Sequence, residues 1–152
     1  MMARGRMPLG KRGVAALEFA LVSPILTMFL GGTVDFGMLN AGRSALANAV
    51  ASGAEYAYLT GTGVTAANIK TLVQTTSFLT TVVATVTGPG YYCMVGTTPT
   101  MTSVTSGTAC SDGSTAGQYV IISAVYTYTP ILPNFSNVGT TTLTEKATVR
   151  LI

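Results

Sequence analysis

An apolar run from Val14 to Val34 constrains the fold of this chain more than any other feature of its sequence. The run has 21 residues and contains one charged side chain, Glu18. At about 1.5 Å of rise per residue, a helix of this length is about 32 Å long, which matches the roughly 30 Å hydrocarbon core of a bilayer. The sequence therefore predicts a transmembrane helix over residues 14–36, surrounded by a lipid bilayer.

The charged residues predict the orientation of this span. Four of the eight basic residues precede Gly13, namely Arg4, Arg6, Lys11 and Arg12. Because basic residues beside a span stay on the cytoplasmic side, we expect residues 1–13 inside and the chain after about residue 36 to be exported. The residues after Gly13 carry four basic and five acidic side chains, so the overall net charge of +3 indicates no basic face for nucleic acid.

Two residues inside the run are unusual for a membrane helix. An ionised group at the centre of a span costs about 2.5–3.5 kcal/mol on insertion scales, so Glu18 is either functional or close enough to the interface to reach the headgroups. Pro24 lacks a backbone N–H, which predicts a kink or a local loosening near residues 20–24. This break is either simply tolerated or gives the helix flexibility for leaving the bilayer.

The residues around the start of the run resemble the processing site of type IV pilins and their relatives. In those proteins a dedicated membrane peptidase cuts after a glycine, and a glutamate is the fifth residue of the mature chain. Gly13 matches the glycine, Glu18 is fifth when counted from Val14, and Phe19 matches the aromatic residue of the Flp (tight adherence) branch. The resemblance implies that residues 1–13 are a leader peptide removed by a prepilin peptidase.

The rest of the run is similar to TadE-like pseudopilins of the tight adherence pilus, with Ser23-Pro24 early in the span and Asp35-Phe36-Gly37 closing it. The resemblance extends over residues 10 to about 40. It implies a minor pilin or pseudopilin in the bacterial inner membrane that acts in pilus biogenesis and surface attachment, with other pilin-like subunits and the assembly platform as partners. It also implies that Glu18 pairs with the new ammonium group of Val14 on a neighbouring subunit.

Three other interpretations are open. An ordinary secretory signal would use the cleavage sequence Ala49-Val50-Ala51, but this lies 15 residues beyond Val34 and a signal peptidase site directly follows the apolar core. Shaft-forming pilins of the Flp type are short and mostly helical, whereas this chain has an additional domain of about 90 residues after its long helix. An uncleaved single-pass anchor that displays an adhesive or sensory domain outside the cytoplasm is the main alternative.

Beyond the span, the spacing of small and apolar residues predicts that the helix continues over residues 37–60 and ends at the glycines that follow. Its apolar stripe packs either on a C-terminal domain or on other subunits. Thr65 is placed to cap a second helix over residues 66–76. Together with the strands described next, the sequence predicts an α+β fold in which residues 61–152 form an exported domain.

Four segments have the composition and alternation of strands, namely residues 80–87, 91–95, 119–129 and 140–151. Gly88-Pro89-Gly90 is expected to turn the chain between the first two strands. The Thr-, Ser- and Gly-rich residues 96–117 are expected to form a long exposed loop. Residues 119–129 have apolar groups on both faces, which favours a central position in a small antiparallel sheet.

Cys93 and Cys110 both lie in the part expected to be exported, where oxidising conditions favour a disulfide. Sixteen residues separate them, and the alternative is two free thiols. The sequence has no His and no Cys-x-x-Cys pattern, so we expect no metal site and no cofactor. Without a recognisable nucleophile and base, we expect the chain to be a substrate of the peptidase and not an enzyme.

Overall fold

A computed structural model describes residues 11–95, 100–132 and 139–151 and has an α+β architecture. Its helices are α1 (Lys11–Thr60), a short 3-10 turn (Gly61–Gly63) and α2 (Ala66–Thr76), and its strands are β1 (Val83–Val95), β2 (Thr100–Val104), β3 (Gly117–Tyr128) and β4 (Thr141–Arg150). The predicted fold class, a long N-terminal helix followed by a small antiparallel sheet, is confirmed.

The chain divides into two compact units. The first consists of Met1–Met38 with Thr129–Gly139, and the second consists of Leu39–Tyr128 with Thr140–Ile152. Helix α1 contributes to both units, because its residues up to Met38 belong to the first and those from Leu39 onward to the second.

The sheet belongs to the second unit and has the strand order β2-β1-β3-β4. All neighbouring strands are antiparallel, and Ile122 of β3 lies between Val86 of β1 and Ala147 of β4. The central position predicted for residues 119–129 is therefore confirmed. In β4 the residues alternate between inward and exposed positions, as expected for a strand with one face on the core.

One face of this sheet packs on the second half of α1 and on α2. The buried core residues are Leu46, Ala49, Val50, Ala57, Val64, Ile69, Val73, Val82, Ala84, Val120, Ile122, Ala124, Val149 and Leu151. The small residues of α1 allow close approach, since a Cβ atom added at Gly53 would lie 2.6 Å from the side chain of Val73. The apolar stripe of α1 thus packs on the C-terminal domain, which is the first of its two predicted roles.

Local signals determine the start of α2 and the end of α1. The hydroxyl of Thr65 accepts a hydrogen bond from the backbone N–H of Asn68 at 3.4 Å, so the predicted cap of α2 is confirmed. Helix α1 ends at Thr60, and Gly61 has a φ of +64°, the left-handed conformation that glycine adopts without strain. The helix is unbroken through Pro24, and the kink near residues 20–24 stays a prediction.

The expected turn at Gly88-Pro89-Gly90 is wrong, because β1 continues through these residues. Thr87 pairs with Ile121 and Gly90 with Tyr119, so β1 has one extra residue and forms a β-bulge. Gly88 has a φ of +104°, and a Cβ atom there would lie 2.7 Å from the carbonyl oxygen of Tyr119. The glycine is needed for close approach to β3, and proline is tolerated at a bulge because its missing N–H is not needed there.

The expected long loop over residues 96–117 is also wrong in part, because it contains β2. Thr102 of β2 pairs antiparallel with Cys93 of β1, and residues 96–99 between the two strands lie outside the described residues. The segment looks polar because of its threonines, but threonine is β-branched and fits a strand well when a neighbouring strand is available. The sheet therefore has four strands, as expected, but with different boundaries.

Candidate membrane-anchoring and assembly region

The first half of α1 has large apolar side chains on all sides, and they are exposed. A stretch of this helix is long and apolar enough to cross a membrane, and none of that stretch is buried within the chain. The exposed apolar residues of this half are Val14, Leu17, Phe19, Leu21, Val22, Ile25, Leu26, Met28, Phe29, Leu30, Val34 and Phe36. A helix that is apolar all round requires an apolar environment, so α1 is a candidate membrane span by length and composition.

The residues assigned to processing and assembly lie together near the beginning of α1. Gly13, Val14, Glu18 and Phe19 are all helical and exposed. Val14 and Glu18 are four residues apart and lie on the same face of the helix. Most of the basic leader, residues 1–10, lies outside the described residues. The cleavage after Gly13 and the assembly role of Glu18 and Phe19 stay predictions.

Asp35 is a functional candidate that the sequence analysis did not identify by itself. It is the only charged side chain that is fully buried among the described residues. Its Oδ1 accepts a hydrogen bond from the backbone N–H of Ile131 at 2.8 Å, and its Oδ2 accepts one from the N–H of Leu132 at 3.3 Å. The sequence does contain a signal for Asp35, since it is an acid that directly follows an apolar run. An acid at the end of a membrane span requires a partner.

The two cysteines form the predicted disulfide. Cys93 on β1 and Cys110 are joined, with their Cα atoms 5.5 Å apart. Both are buried in a small cluster with Ala116, against which Tyr91 and Val104 pack. The disulfide thus connects β1 to the segment between β2 and β3, where few large apolar side chains are available to hold the chain in place.

A tight turn follows Cys110. The N–H of Cys110 donates to the carbonyl of Ser114 at 2.7 Å, and the N–H of Gly113 donates to the carbonyl of Cys110 at 2.9 Å. Asp112 accepts hydrogen bonds from the hydroxyl of Ser114 at 2.7 Å and from its N–H at 3.0 Å. These two donors stabilise the carboxylate and lower the pKa of Asp112 below its usual 3.8.

The described residues hold no group of three or more His, Cys, Asp or Glu side chains able to bind a metal ion. A cavity of 160 Å³ beside the disulfide is lined by Tyr92, Asp112, Tyr119 and Arg150 among others. Asp112 is the only acid lining it, and its carboxylate is already hydrogen-bonded to Ser114.

The exposed apolar helix and the disulfide together define the class of protein. It has a helix able to span a membrane, followed by a small disulfide-bonded α+β domain. Within this class, residues 13–55 match the family model described as TadE-like protein, so this segment of the chain is TadE-like. The resemblance found in the sequence is confirmed and extends further along α1 than expected. The match supports a pilin-like protein associated with a tight adherence pilus, and the TadE-like family is a structural component of pili and not an enzyme family.

The matched segment contains Gly13, Glu18, Phe19, Pro24 and Asp35, and it ends within the part of α1 that packs on the domain. Helix α2 and the sheet lie outside it. No curated protein and no solved structure matches the chain.

Proposed function

We propose that this chain is a minor pilin or pseudopilin of a tight adherence pilus system. It is anchored in the bacterial inner membrane by residues 14–36, with its N-terminus in the cytoplasm and its C-terminal domain in the periplasm or in the extracellular pilus. A prepilin peptidase removes residues 1–13. The observation that carries the proposal is that the TadE-like match begins at Gly13 and includes an exposed acid, Glu18, which is the only charged residue of the apolar run from Val14 to Val34.

A glycine at position 13 suits a cleavage site. A peptidase binds an extended chain, and glycine is about 0.8–1.0 kcal/mol less favourable than alanine in a helix. Local unwinding at Gly13 is therefore less costly than at an alanine, and it presents the bond between Gly13 and Val14 to the peptidase.

The exposure of Glu18 supports a contact between subunits. Cleavage converts the N–H of Val14 into an ammonium group, and both residues lie on the outside of the helix. In an apolar environment an unpaired charge is strongly unfavourable, whereas an ammonium–carboxylate pair makes short, charge-assisted hydrogen bonds. The Val14 ammonium of one subunit and the Glu18 carboxylate of its neighbour therefore stabilise each other, which favours stacking of the spans.

Mass mapping of the N-terminus tests the processing step. In cells with the pilus system, the membrane-extracted chain is expected to begin at Val14, and the G13L variant is expected to retain residues 1–13. The matched control is G32L, because Gly32 lies in the same span and a Cβ atom there contacts nothing within 4 Å. A mature chain that keeps its first thirteen residues contradicts the proposal and favours an uncleaved anchor that displays the domain.

Incorporation into pili tests the role of Glu18. The E18A variant is expected to be cleaved normally but to be lost from the assembled system, since the Val14 ammonium then has no partner. E55A is the control, because Glu55 is an exposed acid of the same helix outside the span. Normal piliation by E18A excludes the pairing role. A chain that dominates the sheared fibre fraction is a shaft pilin and not a minor subunit.

A further inference from the structure

The connection between β3 and β4 is attached to α1 at the end of the apolar run. Asp35 directly follows Val34, and its carboxylate accepts hydrogen bonds from the N–H groups of Ile131 and Leu132 at 2.8 and 3.3 Å. All of these residues belong to the same compact unit. The two hydrogen bonds therefore hold the backbone of residues 130–132 within one side-chain length of the end of the span.

The side chains of Ile131 and Leu132 are apolar and exposed. Ile131 is 58% exposed and Leu132 is 37% exposed, although both have their backbone N–H groups tied to a fully buried acid. No polar side chain occurs in the sequence Pro130-Ile131-Leu132. These side chains therefore add to the exposed apolar surface of α1, beside the residue at which the span ends.

We propose that residues 130–132 form a second membrane contact, with Ile131 and Leu132 immersed in the interfacial layer of the bilayer beside the span. The proposal depends on the membrane span of the proposed function, but neither on the cleavage nor on the pilus. Where this segment borders the hydrocarbon core, its backbone N–H groups need protein partners, because the hydrocarbon supplies no acceptors. Asp35 supplies two acceptors, and the two amides in turn stabilise its carboxylate where water is scarce.

Continuity with the span favours lipid over a second copy of the chain as the partner of this segment. The apolar surface of α1 already needs a bilayer, and a segment held beside its end lies in the same bilayer without a shape-matched partner. Proline, isoleucine and leucine offer no side-chain hydrogen bonds with which to recognise a protein surface. The contact is therefore expected from one isolated copy.

The test uses the full chain at one copy per nanodisc of phosphatidylethanolamine and phosphatidylglycerol. The I131C variant is labelled with a polarity-sensitive fluorophore, and Cys93 and Cys110 do not react because they are joined. The label is expected to emit at shorter wavelength and to be quenched several-fold more by lipids carrying a nitroxide near the headgroup than a label on V83C. Val83 is the matched control because it is an apolar side chain of β1 with 62% exposure.

A label on L26C reports on the span itself. If Leu26 is quenched by lipid nitroxides and Ile131 is not, the second membrane contact is excluded while the span remains. If neither is quenched, the span and the proposed contact fail together. Equal quenching at Val83 and Ile131 also overturns the proposal, because the signal then comes from the dye. If the label at Ile131 shifts to shorter wavelength only when each disc holds two copies, the segment contacts a second copy, and the lipid contact is overturned.

The attachment to Asp35 is tested with the same label. D35A removes both acceptors and is expected to reduce the lipid quenching of the Ile131 label several-fold, while D35N keeps one acceptor oxygen and is expected to lie between D35A and the natural chain. Formation of the disulfide in each variant, measured by thiol labelling, shows that the domain is folded. Unchanged quenching in a folded D35A variant contradicts the attachment.

Discussion

The two halves of α1 share one secondary structure but are built for different surroundings. Residues 13–36 carry large apolar side chains that are exposed, such as Phe29 and Leu30. Residues 39–60 bury Leu46 and Ala49 completely and leave their polar side chains outside. Helix propensity does not distinguish the halves, since leucine and alanine favour a helix in both. The difference lies in side-chain size and distribution, which distinguish a candidate membrane span from a helix that packs on its own chain.

The largest expected effect contrasts a leucine in each half. L46A removes a fully buried side chain from the core, so it is expected to lower the free energy of unfolding of the domain by about 2–5 kcal/mol. L26A removes a side chain that is 52% exposed and is expected to leave this value nearly unchanged. Chemical denaturation in detergent micelles, followed by tyrosine circular dichroism, measures both. Equal losses would show that the first half also packs on the domain.

Removal of the disulfide is expected to affect the domain and not the span. C93S with C110S opens a loop of 17-residue separation, for which the chain-entropy model gives about 3 kcal/mol. The same denaturation measurement should show this loss, and extraction with carbonate should leave the chain in the membrane. Release of the variant from the membrane would show that anchoring depends on the disulfide.

Two glycines provide a finer contrast between the halves. G53V forces a side chain against Val73, where even a Cβ atom lies 2.6 Å away, and is expected to destabilise the domain by about 1–3 kcal/mol. G32V meets nothing within 4 Å, so the domain should keep its stability. The denaturation midpoints of G53V and G32V, each compared with that of the natural chain, measure the two changes in stability. A neutral G53V would show that α1 and α2 separate easily.

The smallest effect is a pH response that belongs to the domain alone. The pKa of Asp112 is lowered by the hydroxyl and N–H of Ser114, so this carboxylate stabilises the folded domain above its ordinary pKa of 3.8. The stabilisation is lost as the pH falls through the lowered value. The difference in stability between D112N and the natural chain should therefore be constant near neutral pH and shrink below about pH 4. A difference that grows towards low pH would contradict this sign.

Elements with local signals were predictable from the sequence. The apolar run gave the first half of α1, Thr65 gave the start of α2, and alternation gave β3 and β4. The bulge in β1 was missed because glycine and proline mark turns and bulges alike, and only the approach of Tyr119 distinguishes them. β2 was missed because its threonines form a strand only beside β1.

The candidate site residues also differ in whether their partners are close in sequence. Gly13 and Glu18 are close in sequence, so a short pattern and a resemblance were enough to propose them as site residues, and their roles stay predictions. The hydrogen bonds of Asp35 join it to residues that are 96 and 97 positions away. No local pattern links such residues, because their proximity depends on where the β3–β4 connection returns.

The two edge strands of the sheet determine how easily the sheets of neighbouring copies can pair. A long, open edge strand can template pairing with an identical strand of another molecule, and this tendency rises when many copies are concentrated on one surface. In the described residues the two edges are β2, which has five residues, and β4, on which Lys146 and Arg150 are exposed. Short length and positive charge both oppose sheet-to-sheet fusion. If the proposed stacking of spans concentrates many copies, these features are expected to keep the sheets of neighbouring copies unpaired.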